Sequence, residues 1–366
     1  MTHSKIPVLI TAVGGMGEQI LRSLQIANEQ HDRYHLIVGD MSPHCPQFEM
    51  ADEAYCLPSA SDPRFIEALQ TICRKHGVRA LFYGCEPDLH QISLHRKLFE
   101  DQGILVPLNP EEVIRFCMDK AATVKVLTEL GFAPPRAVEA ENYEGLSSID
   151  WFPIIIKPSQ GSGGSAHCYI AQNAEELRHL YSYLNIALPG QKFIVQEYVG
   201  DENSEYTVGI LHDMDGNYLN SIAMRRILKS QLNVRARYKN NTGRKELGSQ
   251  LVISSGVSHG HMAKFPEVTE RCKQVAKAIG ARGAINIQLR LIGDEIKIFE
   301  INPRFSGTTS LRAMMGYNEP DVLIRKHLLG EKIAVDFAFK EGTVLRSLKA
   351  TELSEQAAPS WESLIS

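Results

Sequence analysis

Residues 286–307, NIQLRLIGDEIKIFEINPRFSG, hold two alternating apolar segments, Asn286–Leu291 and Ile296–Ile301, on either side of Gly293-Asp294. Such a pair between two alternating segments is a strong signal for a tight turn between strands. The stretch therefore predicts a β-hairpin.

Polar side chains are predicted to converge on one face of this hairpin. Residues two apart on a strand share a face, so Glu300 and Asn302 point the same way and Phe299 the other way. Gln288 on the partner strand reaches the same face if the register allows, and Arg304 follows closely enough to meet a phosphoryl group. Gln288, Glu300 and Asn302 offer only oxygen ligands to a cation, which suits magnesium. An ordinary solvated hairpin is the alternative that spacing alone leaves open.

The composition indicates a globular protein. A chain of 366 residues, 43% of them hydrophobic, can form two or three domains. A net charge of −4 argues against nucleic acid as the partner. No apolar run approaches the length of a membrane span, and the cysteines are widely spaced without a C-x-x-C pair. We therefore expect a cytoplasmic protein without a membrane partner.

The first third alternates strand and helix patterns. Residues 7–13 read as a strand, Gly14-Gly15-Met16-Gly17 as a turn, and residues 36–40 as a second strand ending in Asp40. The pattern continues to a strand-like segment at 104–106 and implies a parallel sheet covered on both faces. A dinucleotide site is the alternative reading, although Ile20 stands where its third small residue belongs.

A lysine and a glycine-rich loop follow in the middle of the chain. Lys157 ends the apolar strand pattern of residues 151–158, where a charge is costly unless it meets an anion. Backbone N–H groups in the next segment could close over phosphate oxygens, because no Cβ stands in the way. The alternative is a flexible hairpin tip. The loop residues in question are Gly161, Ser162, Gly163, Gly164 and Ser165.

These motifs together resemble the ATP-grasp enzymes, most of all the ATP-binding halves of the carbamoyl phosphate synthetase large chain. The resemblance covers roughly residues 6–330. The motifs that carry it are Lys120, Lys157 with its glycine loop, Gln196-Glu197-Tyr198-Val199, Glu205-Tyr206, Asn286-Ile287-Gln288 and Phe299-Glu300-Ile301-Asn302-Pro303-Arg304.

The resemblance implies an α/β fold of three parts. These are a Rossmann-like pre-ATP-grasp domain at residues 1–110, a lid subdomain at 111–190 and a catalytic subdomain at 191–366. No second glycine loop and no second E-x-N-P-R motif occurs, so synthesis of carbamoyl phosphate by two tandem halves is not expected.

The resemblance also implies a role for each matching residue. ATP phosphates would be bound by Lys120, Lys157 and the glycine loop. Adenine would be bound by Glu197 and the backbone of Tyr198 and Val199, and ribose by Glu205. Magnesium, with two ions expected and manganese as an alternative, would be bound by Gln288, Glu300 and Asn302. Arg304 would face the transferred phosphoryl group.

The implied reaction joins a carboxylate and an amine through an acyl phosphate, with release of ADP and phosphate. The expected partners are small-molecule acids and amines, including an anionic sugar or an amino acid as acceptor, and a homodimer is compatible with the resemblance. Two alternatives stay open: formation of carboxy or carbamoyl phosphate from bicarbonate, and a non-catalytic ATP sensor.

A basic segment between Met224 and Gln250 has no role in these motifs. Arg225 or Arg226, emerging from a strand pattern, is predicted to bind the carboxylate of the substrate. The rest of the segment would form a lid, contact an anionic acceptor, or remain a solvated arm.

Overall fold

The first unit of the chain is a parallel sheet covered by helices. The computed structural model describes residues 5–161, 163–351 and 358–365. The elements of this unit are β1 (Ile6–Thr11), α1 (Glu18–His31), β2 (Tyr34–Asp40), β3 (Glu53–Cys56), α2 (Phe65–His76), β4 (Ala80–Phe82), α3 (Glu86–Leu94) and α4 (Arg96–Glu100). The strand order is β3-β2-β1-β4, and every pair is parallel.

Strand β1 is buried on both faces. Val8 and Ile10 belong to the core on the α1 side, whereas Leu9 belongs to the core on the α2 side. A strand covered on both faces reads as a continuous apolar run, which explains the pattern in the sequence. The predicted strand at 104–106 forms only an isolated bridge, from Leu105 to Ala80.

The turn after β1 depends on its glycines. A Cβ on Gly17 would lie 2.5 Å from the carbonyl oxygen of Thr11, so only glycine fits there. The backbone N–H of Gly14 donates to Oδ2 of Asp40 at 2.8 Å. Asp40 therefore stabilises the turn with the carboxylate that a dinucleotide site would direct to a ribose.

The second unit is a small antiparallel sheet preceded by two helices. Its elements are α5 (Glu111–Cys117), α6 (Lys120–Glu129), β5 (Ala137–Ala140), α7 (Tyr143–Leu146), β6 (Ile154–Pro158), β7 (Tyr169–Ala171), α8 (Ala174–Ala187) and β8 (Phe193–Glu197). The strand order is β5-β8-β6-β7. Lys157 thus lies near the end of a buried inner strand, where the apolar pattern predicted it.

The third unit is a six-stranded antiparallel sheet with an attached hairpin. Its elements are β9 (Glu205–His212), β10 (Tyr218–Arg226), β11 (Val234–Lys239), β12 (Gln250–Ser254), β13 (Gly260–Ala263), α9 (Pro266–Ala278), β14 (Ala284–Ile292), β15 (Glu295–Asn302), α10 (Thr309–Met314), α11 (Glu319–His327) and β16 (Gly342–Val344). The sheet order is β15-β14-β9-β10-β13-β16. Much of the basic segment forms the separate β11–β12 hairpin. Among the described residues, no helix is long and apolar enough to cross a membrane.

Two contacts bear on the predicted domain limits. Strand β8 pairs with β6, so the lid sheet runs to Glu197 rather than ending at 190. Near the C-terminus, Trp361 is buried in the core of the first unit, and Ser360 bridges to Cys56. We therefore propose a lid boundary after Glu197 and assign residues 358–365 to the first unit.

Candidate active site

The predicted hairpin is confirmed, and its polar residues line one cavity. Strands β14 and β15 pair antiparallel, with Gln288 opposite Glu300 and Asn286 opposite Asn302. All four side chains line a cleft together with Arg304. The fold thus brings the three predicted magnesium ligands and the predicted phosphoryl-facing arginine together.

A β-bulge changes the orientation predicted for Phe299. Gln288 pairs with Glu300 and the next residue, Leu289, pairs with Ile298, so Phe299 is the extra residue on β15. Phe299 was predicted to face away from Glu300, but both line the same second cavity. Strict alternation fails here because a bulge shifts the period by one residue.

This second cavity lies between the lid sheet (β5-β8-β6-β7) and the third unit, and it encloses about 640 Å³ including its open mouth. That size suits a small-molecule ligand. Its walls include most of the residues predicted to bind nucleotide, and Ser165 and Glu300 also line the first cavity. The predicted residues in the walls are Lys120, Lys157, Ser165, Glu197, Tyr198, Val199 and Glu205.

Lys157 is a buried lysine in the wall of this cavity. Its Nζ donates to Oε1 of Gln196 at 2.9 Å and lies 5.8 Å from the centre of the Phe299 ring. Burial lowers the pKa of Lys157. A buried ammonium whose hydrogen-bond partner Gln196 is neutral favours an anionic ligand, because the attraction between charges is strong where water is excluded.

The glycine loop lies against the end of β12 and the segment that follows it. Ser165 Oγ donates to the carbonyl oxygen of Ser254 at 2.8 Å, and a Cβ on Gly256 would lie 3.0 Å from Cα of Gly164. Gly161 is exposed, with φ of +67°. Ser162 lies outside the described residues, and Gly163 begins a short 3-10 turn. The Gly164–Ser165 end of the loop is thus the part next to the cavities.

Glu205 lies in the cavity wall but is paired by two arginines. Its Oε1 accepts from Arg226 Nη1 at 2.9 Å, and its Oε2 accepts from Arg290 Nη2 at 3.1 Å. Burial raises the pKa of Glu205, but the two guanidiniums lower it by more, so the net pKa is below its ordinary 4.5. The predicted ribose ligand is therefore committed to a buried charge cluster.

Arg225 and Arg226, which are neighbours in the sequence, lie on opposite faces of β10. Arg226 is buried and also donates to Ser254 Oγ at 3.1 Å and to the carbonyl oxygen of Ser255 at 2.8 Å. Arg225 is exposed on the other face, where it contacts Tyr206, because neighbouring strand residues alternate. The structure therefore brings Arg226 to the cleft and leaves Arg225 out of it.

Arg304 connects the third unit to the first unit. Its Nη2 donates to Oε1 of Glu86 at 3.0 Å, and Glu86 is the first residue of α3. Its Nη1 donates to the carbonyl oxygen of Phe305 at 3.1 Å, and its Nε is buried without a hydrogen-bond partner. The guanidinium is thus held at the edge of the cleft by Glu86, a contact that single-sequence reasoning did not predict.

A buried network supports the cleft from below. Asn286 Oδ1 accepts from Thr207 Oγ1 at 2.9 Å and from Arg312 Nη2 at 2.6 Å. Arg312 Nη1 donates to Oε1 of the fully buried Glu319 at 3.1 Å. Asn286 could have been found in the sequence, since it alternates with Gln288. The pairing of Arg312 with Glu319 has no such signal.

The family comparisons match the two ends of the chain separately. Residues 8–107 match a family described as PylC-like, N-terminal domain, and residues 190–351 match one described as ATP-grasp in the biosynthetic pathway with Ter operon. The carbamoyl phosphate synthase large chain of Streptomyces avermitilis is 25% identical over 212 residues, which are 57% of this chain and 18% of that protein. The chain thus spans less than a fifth of that relative.

Solved structures match over nearly the whole chain. N5-carboxyaminoimidazole synthetase from Staphylococcus aureus, complexed with ADP, has a TM-score of 0.63 at 15% identity and covers 93% of this chain and 82% of its own. An L-amino acid ligase from Bacillus licheniformis has a TM-score of 0.61 at 15% identity and covers 89% and 75%. These likenesses confirm the predicted α/β fold.

Proposed function

We propose that this chain, which matches an ATP-grasp family over residues 190–351, is an ATP-dependent carboxylate–amine ligase. One observation carries this proposal: Ser165 and Glu300 line both the cavity with Lys157 and the cleft with Arg304. A nucleotide in the cavity with Lys157 would direct its phosphates towards an acid in the cleft with Arg304.

The donor set fits magnesium. Gln288, Glu300 and Asn302 contribute amide and carboxylate oxygens, and a hard divalent cation prefers such ligands. Gln288 Nε2 lies 3.2 Å from Oε2 of Glu300, so the two side chains are close enough to share an ion. Magnesium bound there would neutralise charge on the phosphates, and Mn²⁺ would meet the same oxygen donors.

The nucleotide end combines charge with apolar walls. Lys157 and Lys120 lie in a cavity whose sides include Ile155, Ile253 and Phe299. Such walls suit the faces of an adenine ring, and the two lysines suit the phosphates. The ADP complex of the structurally similar S. aureus synthetase supports this assignment.

The link after β8 limits how adenine could bind. The N–H of Tyr198 donates to the carbonyl oxygen of Pro153 at 3.0 Å, and the carbonyl oxygen of Val199 accepts from Arg290 Nη1 at 3.0 Å. Both groups already have protein partners. We therefore place adenine beside this link, against the ring of Phe299. Glu205 would then hold Arg226 and Arg290 in position instead of contacting the ribose.

The proposed chemistry has two steps. A carboxylate oxygen attacks the γ-phosphorus, and the bond to the ADP oxygen breaks to leave an acyl phosphate. An amine nitrogen then attacks the acyl carbon, phosphate leaves, and the nitrogen loses a proton. The protein mainly positions the reactants and offsets negative charge, for which Lys157 and Arg304 are placed on the two sides of Glu300.

The cytosol is the proposed site of this reaction. All seven cysteines are free thiols, including Cys168 in the nucleotide cavity. Unpaired thiols persist in reducing compartments. Small-molecule acids and amines, including amino acids and anionic sugars, are the proposed substrates.

The proposal is tested by following ADP release with magnesium, ATP and pooled acids and amines. ADP should accumulate only when an acid and an amine are both present. Release that depends on bicarbonate would favour carboxy phosphate formation, and tight ATP binding without release would favour a sensor. Release of AMP and pyrophosphate would contradict the acyl-phosphate route.

A further inference from the structure

Three metal-ligating side chains converge on the first unit, away from both cavities. His35, Glu53 and His76 each offer one donor atom, and these atoms all lie within 4.8 Å of one another. In the part of the chain that the structure describes, no other group of three His, Cys, Asp or Glu residues meets that condition. The ligase chemistry proposed above uses none of the three.

The fold itself places these residues together. His35 and Ile37 share a face of β2, and Glu53 on β3 pairs directly with Ile37. Helix α2 packs over that face, with its Ile72 in the same core as Ile37, and ends at His76. Three separate elements therefore contribute one donor each.

The donor set selects a class of ion. Two imidazoles and one carboxylate are a combination in which zinc occurs, with a fourth position left for water. Magnesium and calcium prefer oxygen ligands, so they are poor candidates here. Ligands in a tetrahedral zinc site lie about 3.3 Å apart, given zinc–nitrogen bonds of about 2 Å. His35 and His76 are half-buried and Glu53 is exposed, so side-chain rotation can bring the donor atoms to that spacing.

Each histidine also has an oxygen atom near one of its ring nitrogens. The Tyr55 hydroxyl lies 2.7 Å from Nε2 of His76, and Oδ2 of Asp52 lies 3.6 Å from Nδ1 of His35. Metal-ligating histidines usually hold their second ring nitrogen against an oxygen partner of this kind, which fixes the ring. An ion bound through Nδ1 of His76 and Nε2 of His35 would leave both of these contacts in place.

From this geometry we propose that His35, Glu53 and His76 bind a divalent transition-metal ion of the zinc type. The ion would join β2, β3 and α2 and so stabilise the first unit. This site is separate from the magnesium site proposed on the hairpin. Two of its three ligands are imidazole nitrogens, whereas the hairpin site offers only oxygen ligands.

Zn²⁺ binding to the full chain tests the proposal, using a chromophoric competitor with magnesium in excess. The paired variant His35→Gln/His76→Gln removes two donors, and His44→Gln/His90→Gln removes two exposed imidazoles of the same unit as a matched control. We expect one Zn²⁺ per wild-type chain, an affinity loss of at least about 100-fold in the paired variant, and no loss in the control.

Zn²⁺ should also raise the melting temperature of the wild type and the control but not that of the paired variant. If the paired variant does not fold, Glu53→Gln on the exposed edge gives the same test with one donor removed. Absence of stoichiometric binding to the wild type would overturn the proposal, as would equal affinity in the wild type and the donor variants.

Discussion

Gln288 and Glu300 face each other across the β14–β15 hairpin, with Nε2 of Gln288 3.2 Å from Oε2 of Glu300. Directly opposed residues have Cβ atoms about 5 Å apart, so two such side chains can reach one ion. The bulge at Phe299 lies directly beside this pair, and the aromatic ring lines the nucleotide cavity. One irregular hairpin thus provides both an oxygen-lined edge and an apolar wall.

Glu300→Gln keeps the shape of the side chain but removes its charge. We expect the rate of ADP formation to fall at least about 100-fold and the magnesium requirement to rise, because the ion loses its charged ligand. ADP formation measured against magnesium concentration checks this. Glu295→Gln, exposed on the same strand, is the control and should behave like the wild type. An unchanged rate in Glu300→Gln would remove this residue from the metal site.

Lys157→Met removes the buried charge of the nucleotide cavity at similar length. ADP affinity measured by calorimetry should fall about 10- to 100-fold, since a charge-assisted hydrogen bond contributes about 1.5–3 kcal/mol. Lys125→Met, exposed on α6, is the matched control.

The affinity of the wild type for ADP should also depend on pH through Lys157. Burial lowers the pKa of Lys157 from 10.5, so its charge is lost at a lower pH than that of an exposed lysine. Affinity should decline as the pH rises towards 10.5 in the wild type and decline less in Lys157→Met. Parallel pH profiles for the two proteins would contradict a phosphate-binding role.

Glu205→Gln should destabilise the fold by about 3–5 kcal/mol at pH 7, because Arg226 and Arg290 would remain buried without their carboxylate. The folded-state pKa of Glu205 is lowered below 4.5, so its stabilising contribution is present above that pH and is lost as the pH falls through the folded-state value. The stability difference between wild type and variant should therefore narrow below pH 4.5.

Urea unfolding of both proteins at pH 7 and at about pH 4 measures this difference. Glu295→Gln, an exposed acid paired with Lys297, should leave the free energy of unfolding nearly unchanged. A direct ribose contact would give a different result: Glu205→Gln would weaken ADP binding while leaving stability intact.

Gly209→Ala tests the network beneath the cleft. A Cβ at this position would lie 2.3 Å from Nη1 of Arg312, which Glu319 and Asn286 hold in place. We expect a loss of about 1–3 kcal/mol in the free energy of unfolding, measured with denaturant. Gly145→Ala in α7 meets only an ordinary contact at 3.6 Å and should change stability by less than about 0.5 kcal/mol. Equal stability of the two variants would contradict the close packing of Arg312.

Local patterns predicted the parts of this site that depend on sequence neighbours. The Gly293-Asp294 turn, the shared face of Glu300 and Asn302, and Lys157 near the end of its apolar strand all follow from alternation and turn chemistry. The alternation rule failed at Phe299, because a bulge leaves no clear mark in one sequence.

Partners distant in sequence could not be predicted in this way. Glu205 is paired with Arg226 and with Arg290, which is 85 residues away, and a period-two pattern says nothing about which buried charges meet. Trp361 packs into the core of the first unit more than 250 residues further along the chain, and no local pattern indicates that contact. Such contacts depend on the tertiary fold and become visible only with it.

Transfer of oxygen from the acid substrate to the released phosphate tests whether an acyl phosphate forms. Once an acid and amine pair is found, the acid is labelled with ¹⁸O in both carboxylate positions and the released phosphate is analysed by mass spectrometry. The acyl-phosphate route predicts one ¹⁸O atom in each phosphate, because the attacking carboxylate oxygen leaves with it. Phosphate without the label would contradict the acyl-phosphate route.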